Sequence, residues 1–133
     1  MSIILLDEIP RKPLRCMASA KRDLLAMPNE VQDVFGYALD LAQAGGKHPG
    51  AKVLAGFGSA SVLELLDDDA RGSTYRVVYT TAFDGWICVL HCFKKKSTSG
   101  TRTPRADREL IHSRLTTAQR DFEQWPAGRG VRG

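Results

Sequence analysis

The fold is decided by residues 74–94, TYRVVYTTAFDGWICVLHCFK. Tyr, Val and Thr dominate the first part, residues 74–82, and favour a β-strand. The dipeptide Asp84-Gly85 then predicts a tight hairpin turn. The second part, residues 86–94, is apolar on both alternations, with Trp86, Cys88, Leu90 and Cys92 on one face and Ile87, Val89 and Phe93 on the other. Because strands buried on both faces form continuous apolar runs, this strand is predicted to be central in its sheet.

Two further strands are predicted before this hairpin. Residues 61–66 form the strand that precedes it, joined through a polar turn at residues 67–73, and residues 14–18 are a candidate first strand. The three strands from residue 61 onward are short and follow one another through turns. They are therefore predicted to form an antiparallel meander.

Three helices are predicted, two before the meander and one after it. The first spans residues 20–27, and the second runs from Asn29 to the glycine pair Gly45-Gly46. The second helix has apolar side chains at i, i+3, i+4 spacing, which is typical of one buried stripe. The last helix is predicted from Thr103-Pro104, with Thr103 as its cap, to about residue 125.

The element order predicts an α+β fold, one antiparallel sheet with an N-terminal helical hairpin and a C-terminal helix packed on one face. A chain of 133 residues suits one domain. We expect a leader or short arm over residues 1–12, a single domain over residues 13–125 and a flexible tail over residues 126–133.

Composition limits the classes of function. Hydrophobic residues make up 43% and charged residues 26% of the chain, which is ordinary for a globular protein. The three cysteines lack metal-ligand spacing and are interpreted as core residues in a reducing compartment. The sequence shows neither a signal peptide nor a membrane-spanning run, nor the motifs of phosphate-binding loops, serine hydrolases or zinc proteases. We expect a cytoplasmic protein with no membrane partner, no metal and no cofactor.

Charge is unevenly distributed along the chain. The net charge is +4, and the stretch from Lys94 to Arg105 holds five basic residues and no acid, whereas residues 64–69 hold four acids and no base. Such a basic face suits a polyanion, and a solvated basic loop is the alternative.

The candidate site lies where the basic run leaves the central strand. Alternation places His91 and Lys95 on one face and Lys94 on the other. Arg76, on the neighbouring strand, can hold a phosphate with its planar guanidinium or form a salt bridge with Glu64. A histidine can move the proton of a ribose 2′-OH, and ordinary packing within the strand is the alternative for His91. We assign Arg76, His91, Lys94 and Lys95 as candidate catalytic residues.

Five stretches of sequence carry a likeness to a known family. They are PLR, SAKRDL and MP within residues 13–28, KVLAGFG and VLEL within residues 52–65, YRVVY at 75–79, VLHCFKKKS at 89–97, and TP at 103–104. In this order they resemble the phage-derived HigB-like toxins of the RelE/ParE superfamily, over about residues 13–120.

The resemblance implies a RelE-like fold, a twisted antiparallel sheet with the helices on one side. It also implies a toxin of a type II toxin–antitoxin pair that cleaves mRNA in the ribosomal A site without a metal. The expected partners are the ribosome, mRNA and a cognate antitoxin, often of helix-turn-helix type. The basic strand positions of the family correspond to Arg76 and the run Lys94, Lys95 and Lys96, and Lys52 corresponds to a family lysine. Together with Arg102, these residues form the expected RNA-binding set.

Two alternatives to the ribonuclease remain open at the level of sequence. The same fold supports toxins of the ParE kind, which poison a topoisomerase, so fold alone does not decide the activity. A non-catalytic module that binds only an antitoxin or a nucleic acid is the other alternative, because the sequence shows no conspicuous acid–base pair.

Overall fold

The computed structural model describes residues 11–58, 60–95 and 102–125. Its elements, in chain order, are β1 (Leu14–Cys16), α1 (Ala20–Leu25), α2 (Asn29–Gln43), β2 (Lys52–Val53), β3 (Val62–Asp68), β4 (Thr74–Thr80), β5 (Ile87–Lys95) and α3 (Arg105–Phe122). The fold is therefore α+β, as the sequence predicts. Within the described ranges, no helix combines the length and the apolar character needed to cross a membrane.

The strands form one five-stranded sheet in the order β1-β5-β4-β3-β2. The meander β3–β4–β5 is antiparallel, and β5 is an interior strand, as predicted. The prediction of a wholly antiparallel sheet is wrong at one edge, because β1 pairs with β5 in parallel. The two strands are far apart in sequence, so no hairpin turn fixes their relative direction. Hydrogen bonds from Met17 N to Val89 O and from Ile87 N to Pro13 O complete this edge.

Two turns fix the register of the meander. Between β4 and β5, Trp86 N donates to Phe83 O at 2.9 Å, and Gly85 adopts a φ of 80° that glycine takes without steric cost. Between β3 and β4, the carboxylate of Asp69 accepts the backbone N–H groups of Arg71 and Ser73, each at 2.9 Å. Both turns lie where the sequence predicts them.

Helices cover both faces of the sheet, so the prediction that all of them pack on one face is wrong. The α1/α2 face carries Leu65, Val77 and Val89 in one apolar cluster with helix residues such as Val31 and Phe35. The opposite face, the α3 face, carries a second cluster with Val62, Val78, Cys88, Leu90, Ile111 and Leu115. The reason is the doubly apolar sequence of β5, which requires both faces of the strand to be removed from water.

A β-bulge interrupts β5 at Leu90. Val78 pairs with His91, whereas the next residue of β4, Tyr79, pairs with Val89. Leu90 and His91 therefore both belong to the α3 face, and the alternation beyond them is reversed. As a result Cys92 packs on the α1/α2 face and Phe93 against the α3-face cluster, which is the opposite of the sequence-based placement.

Element boundaries differ from the prediction at several places. β2 was not predicted, because two residues are too short for a periodicity signal. The first strand ends at Cys16 rather than at residue 18, where Ala18 has a φ of 48°. The first helix ends at Leu25, and β3 extends to Asp68. Most of the predicted leader, the whole tail from residue 126, and Lys96 lie outside the described residues.

Candidate nucleic-acid interface

Arg76 is fully buried on the α3 face, and its hydrogen-bonding partners include Glu64 and Thr103. Its Nη1 donates to Glu64 Oε2 at 2.9 Å and to Thr103 Oγ1 at 2.9 Å. The Thr103 hydroxyl in turn donates to Glu64 Oε2 at 3.1 Å. Arg76 therefore forms the salt bridge that the sequence left open as an alternative to phosphate contact. We call these three residues the Arg76 clamp; it ties the chain just before α3 to two strands of the sheet.

Thr103 does not cap α3 as predicted. The residue at the N-cap of α3 is Pro104, and no side chain makes a capping hydrogen bond there. The hydroxyl of Thr103 is used in the Arg76 clamp instead, and the residue is buried. No local sequence pattern indicates this role, because the partners lie on strands that are distant along the chain.

The bulge turns the His91 side chain toward the first turn of α3, where it contacts Asp107. Nε2 of His91 lies 2.8 Å from Asp107 Oδ1, and the imidazole ring stacks on Phe93 with 4.5 Å between ring centroids. The side chain of His91 is 7% exposed and that of Asp107 is 27% exposed. The structure thus contains an acid–base pair that the sequence did not reveal. Its one sequence signal is that Asp107 lies on the helical stripe of Ile111 and Leu115.

Arg114 contacts the other side of the same histidine. Its Nη1 donates to Leu90 O at 2.9 Å and lies 3.4 Å from His91 Nδ1, and its Nη2 donates to Ser19 Oγ at 3.1 Å. A guanidinium can only donate, so a hydrogen bond from Arg114 to Nδ1 requires the tautomer in which Nε2 carries the hydrogen and Asp107 accepts it. Arg114 also provides a donor for the carbonyl of Leu90, which the bulge removes from the regular ladder.

The predicted lysines are divided between the two faces. Lys95 pairs with Thr74 and follows His91 and Phe93 on the α3 face. Lys94 is exposed on the other face, with Nζ 6.0 Å from the ring centroid of Tyr75. It lines a cavity of about 350 Å³ whose other charged residues are Glu30, Asp69 and Arg71. The structure therefore groups Lys95, and not Lys94, with His91.

Arg102 and Lys52 are the remaining predicted RNA contacts among the described residues, and both are exposed. Arg102 directly precedes the Arg76 clamp and lines a cavity of about 300 Å³ with Arg108. Lys52 lies on the edge strand β2, opposite Glu64, and is separated from β5 by two strands. The structure therefore brings Arg102 close to the clamp and leaves Lys52 at the far edge of the sheet.

Burial disfavours thiolate chemistry at the two cysteines of β5. Burial raises the pKa of Cys88 and of Cys92 to about 12, so both thiols are protonated at neutral pH. Among the residues described, no group of three or more His, Cys, Asp or Glu side chains is arranged to hold a metal ion.

One end of the α3 face therefore combines three features. It has a histidine–carboxylate pair, the cations Lys95 and Arg102, and a buried arginine that positions the start of α3. A histidine–carboxylate pair can accept and return a proton, and fixed cations stabilise negative charge on phosphate oxygens.

Comparison with known proteins gives one match. The model of the family described as "Phage derived protein Gp49-like (DUF891)" matches residues 22–116. This range runs from α1 into α3 and includes the predicted catalytic and RNA-binding residues as well as Asp107 and Arg114. Neither the search of curated proteins nor the search of solved structures found a match to the chain.

Proposed function

The chain belongs to the family of phage-derived Gp49-like proteins, and on that premise we propose that it is the toxin of a type II toxin–antitoxin pair. The family is associated with RelE-like and toxin-like proteins. In this proposal the protein is a cytoplasmic, ribosome-dependent mRNA endoribonuclease that arrests translation. A cognate antitoxin, of helix-turn-helix type, neutralises it.

The observation that carries the activity is the His91–Asp107 pair on the same face as Lys95. RNA cleavage can proceed without a metal when the ribose 2′-OH attacks the adjacent phosphate. The reaction needs an acceptor for the 2′-OH proton, cations on the phosphorane oxygens and a donor for the departing 5′ oxygen. Lys95 supplies charge to the phosphate in this scheme. His91 accepts the 2′-OH proton as the new P–O bond forms and returns it to the 5′ oxygen as the P–O5′ bond breaks, and Asp107 stabilises the imidazolium between the two transfers.

The other predicted residues have more distant roles in the proposal. Arg76 acts through the Arg76 clamp, by holding the start of α3 and therefore Asp107 against the sheet. Lys52, Lys94, Lys96 and Arg102 contribute positive charge along the path of the RNA. Arginine and lysine contacts to phosphates of this kind give affinity without reading the base sequence.

Induced expression tests the proposal directly. We expect wild-type protein to stop translation and to produce mRNA cut at A-site codons, and we expect Lys95→Ala and His91→Gln to lose most of the cleavage. Lys21→Ala, which removes an exposed lysine of α1, is the matched control and is expected to remain toxic. Full cleavage by both site variants would contradict the assignment of the site, and arrest without cut mRNA would contradict the ribonuclease.

One observation favours a second candidate, a non-catalytic module that binds RNA or an antitoxin. Arg76 is engaged by two partners, and both ring nitrogens of His91 have neighbours within 3.4 Å. RNA affinity that falls with salt, without cleavage on translating ribosomes, would support this candidate. Inhibition of supercoiling by purified gyrase would instead support the ParE-like activity.

A further inference from the structure

Arg108 is held in place by the loop between β2 and β3. Its Nη2 donates to Ala55 O at 2.6 Å, and the centre of its guanidinium lies 5.3 Å from the ring centroid of Phe57. Phe57 is itself buried and stacks on His112, with 4.1 Å between ring centroids. Arg108 is therefore a positioned cation rather than a freely moving surface side chain.

Glycine at position 56 makes this position of Arg108 possible. Gly56 has a φ of 97°, and a Cβ built on it would overlap Nη2 of Arg108. A side chain at this position would therefore displace the guanidinium from the Ala55 carbonyl. The segment Gly56-Phe57-Gly58 is too short for a nucleotide-binding fingerprint. Its structural role is to hold the side chain of Arg108.

Among the residues that the structure describes, those that line the cleft beside Arg108 are cations. Arg102 and Arg108 line its volume of about 300 Å³. The two acids that flank Arg108 in sequence have other partners. Asp107 pairs with His91, and Glu109 pairs with Arg105. A guanidinium has five N–H donors, and within the described residues the Ala55 carbonyl accepts one from Arg108. The remaining donors can bind an anion.

We propose that the cleft between Arg102 and Arg108 binds a phosphodiester group of single-stranded RNA. The inference rests on the proposed function. It adds Arg108 to the RNA-binding residues, with Gly56 as the residue that permits the position of Arg108. Guanidinium groups match phosphate oxygens with paired, charge-assisted hydrogen bonds. Because the Arg108 side chain is already held by the Ala55 carbonyl, less side-chain entropy is lost when it binds a phosphate. Arg108 directly follows Asp107 in α3, and Arg102 directly precedes the Arg76 clamp. In this proposal the phosphate therefore belongs to the same RNA that reaches His91.

The test measures equilibrium binding of a fluorescent oligouridine by the full chain in the absence of ribosomes. We expect Arg102→Gln and Arg108→Gln each to weaken binding about fivefold, and each to reduce the slope of log affinity against log salt by about 0.7, the value for one phosphate contact on a single strand. Gly56→Ala is expected to weaken binding without any change of net charge. Arg22→Gln, on α1, makes the same charge change as the cleft variants and is expected to have a much smaller effect.

Each outcome supports or overturns the proposal. Equal affinities of wild type and the Arg102→Gln/Arg108→Gln variant, with both folded by circular dichroism, would overturn it, as would undetectable RNA binding by wild type at low salt. Competition by polyglutamate as effective as that by RNA of equal charge would also overturn it, by showing a general anion site. Tight, cleft-dependent RNA binding without cleavage on ribosomes would uphold the cleft and contradict the endoribonuclease.

Discussion

At the scale of single residues, Arg76 shows how one chemical group supports two interpretations. A charged residue within a strand is uncommon unless it is paired or functional, and the sequence alone allows both. The structure places Arg76 out of contact with solvent, with Glu64 and Thr103 as partners. Burying a charged pair is costly, so loss of one partner has larger consequences than loss of both.

The Arg76 clamp is expected to matter for stability. Arg76→Met should lower the free energy of unfolding by about 3–5 kcal/mol, because it leaves the largely buried carboxylate of Glu64 without its cation. Arg76→Met/Glu64→Leu should recover much of that loss. Urea denaturation measures both values, and Arg71→Met, at an exposed position of the β3–β4 turn, is the control. A double variant as unstable as the single one would contradict the argument.

The Asp69 turn is expected to make stability depend on pH. The backbone N–H of Ser73, followed by that of Arg71 and the Tyr75 hydroxyl, lowers the pKa of the Asp69 carboxyl. A lowered folded-state pKa stabilises the fold above the unfolded value of about 3.9, and this contribution is lost as pH falls through the folded value. Asp69→Asn should therefore lower the Tm at pH 7 and converge with wild type in strong acid. Asp84→Asn, in the other turn, is the control; a pH-independent deficit of Asp69→Asn would contradict the mechanism.

At the scale of elements, the bulge in β5 decides which side chains meet. Without the extra residue at Leu90, His91 would face away from α3 and could not reach Asp107. Bulges redirect side chains in this way and leave one backbone group outside the ladder. Arg114 donates to the displaced carbonyl of Leu90 and joins the bulge to Ser19 at the start of α1.

Arg114 is therefore expected to stabilise the bulge. Arg114→Met should lower the free energy of unfolding by about 1–3 kcal/mol, because the Leu90 carbonyl loses its donor. In Arg114→Met, amide hydrogen exchange should accelerate more in β5 around the bulge than in β3, which would locate the effect at the bulge. Arg120→Met, at an exposed position of the same helix, is the control. Similar exchange changes in both variants would show that the contact with Leu90 is not responsible.

The elements also show what a sequence can and cannot predict. The meander β3–β4–β5 and helices α2 and α3 follow from local periodicity and turn residues, which depend on neighbours along the chain. The bulge was not predictable, because alternation in β5 is apolar on both faces and gives the same pattern with or without an extra residue. The parallel direction of β1 against β5 was also predicted wrongly, because it depends on contacts between distant segments.

At the scale of the whole molecule, the position of α3 changes the interpretation of the site. The sequence analysis assigned His91, Lys95 and Arg102 to the candidate site, but it predicted α3 on the same face as the other helices. With α3 on the opposite face, Asp107, Arg108 and Arg114 join the predicted residues. These three come from a helix whose packing face is set by tertiary contacts, so no local pattern could assign them.

The two-sided core also predicts one cooperative unit, which the buried cysteines can report. Cys88 faces α3 and Cys92 faces α1 and α2, and each is at most 1% exposed. In a Cys16→Ser background, we expect a thiol reagent to label both only through global opening, because β5 is shared by both apolar clusters. Ile111→Ala, which removes buried volume from the α3 face alone, should cost about 2–5 kcal/mol and accelerate labelling of the two thiols by the same factor. Selective acceleration at Cys88, measured by mass spectrometry of the peptides, would show instead that α3 opens independently of the rest of the fold.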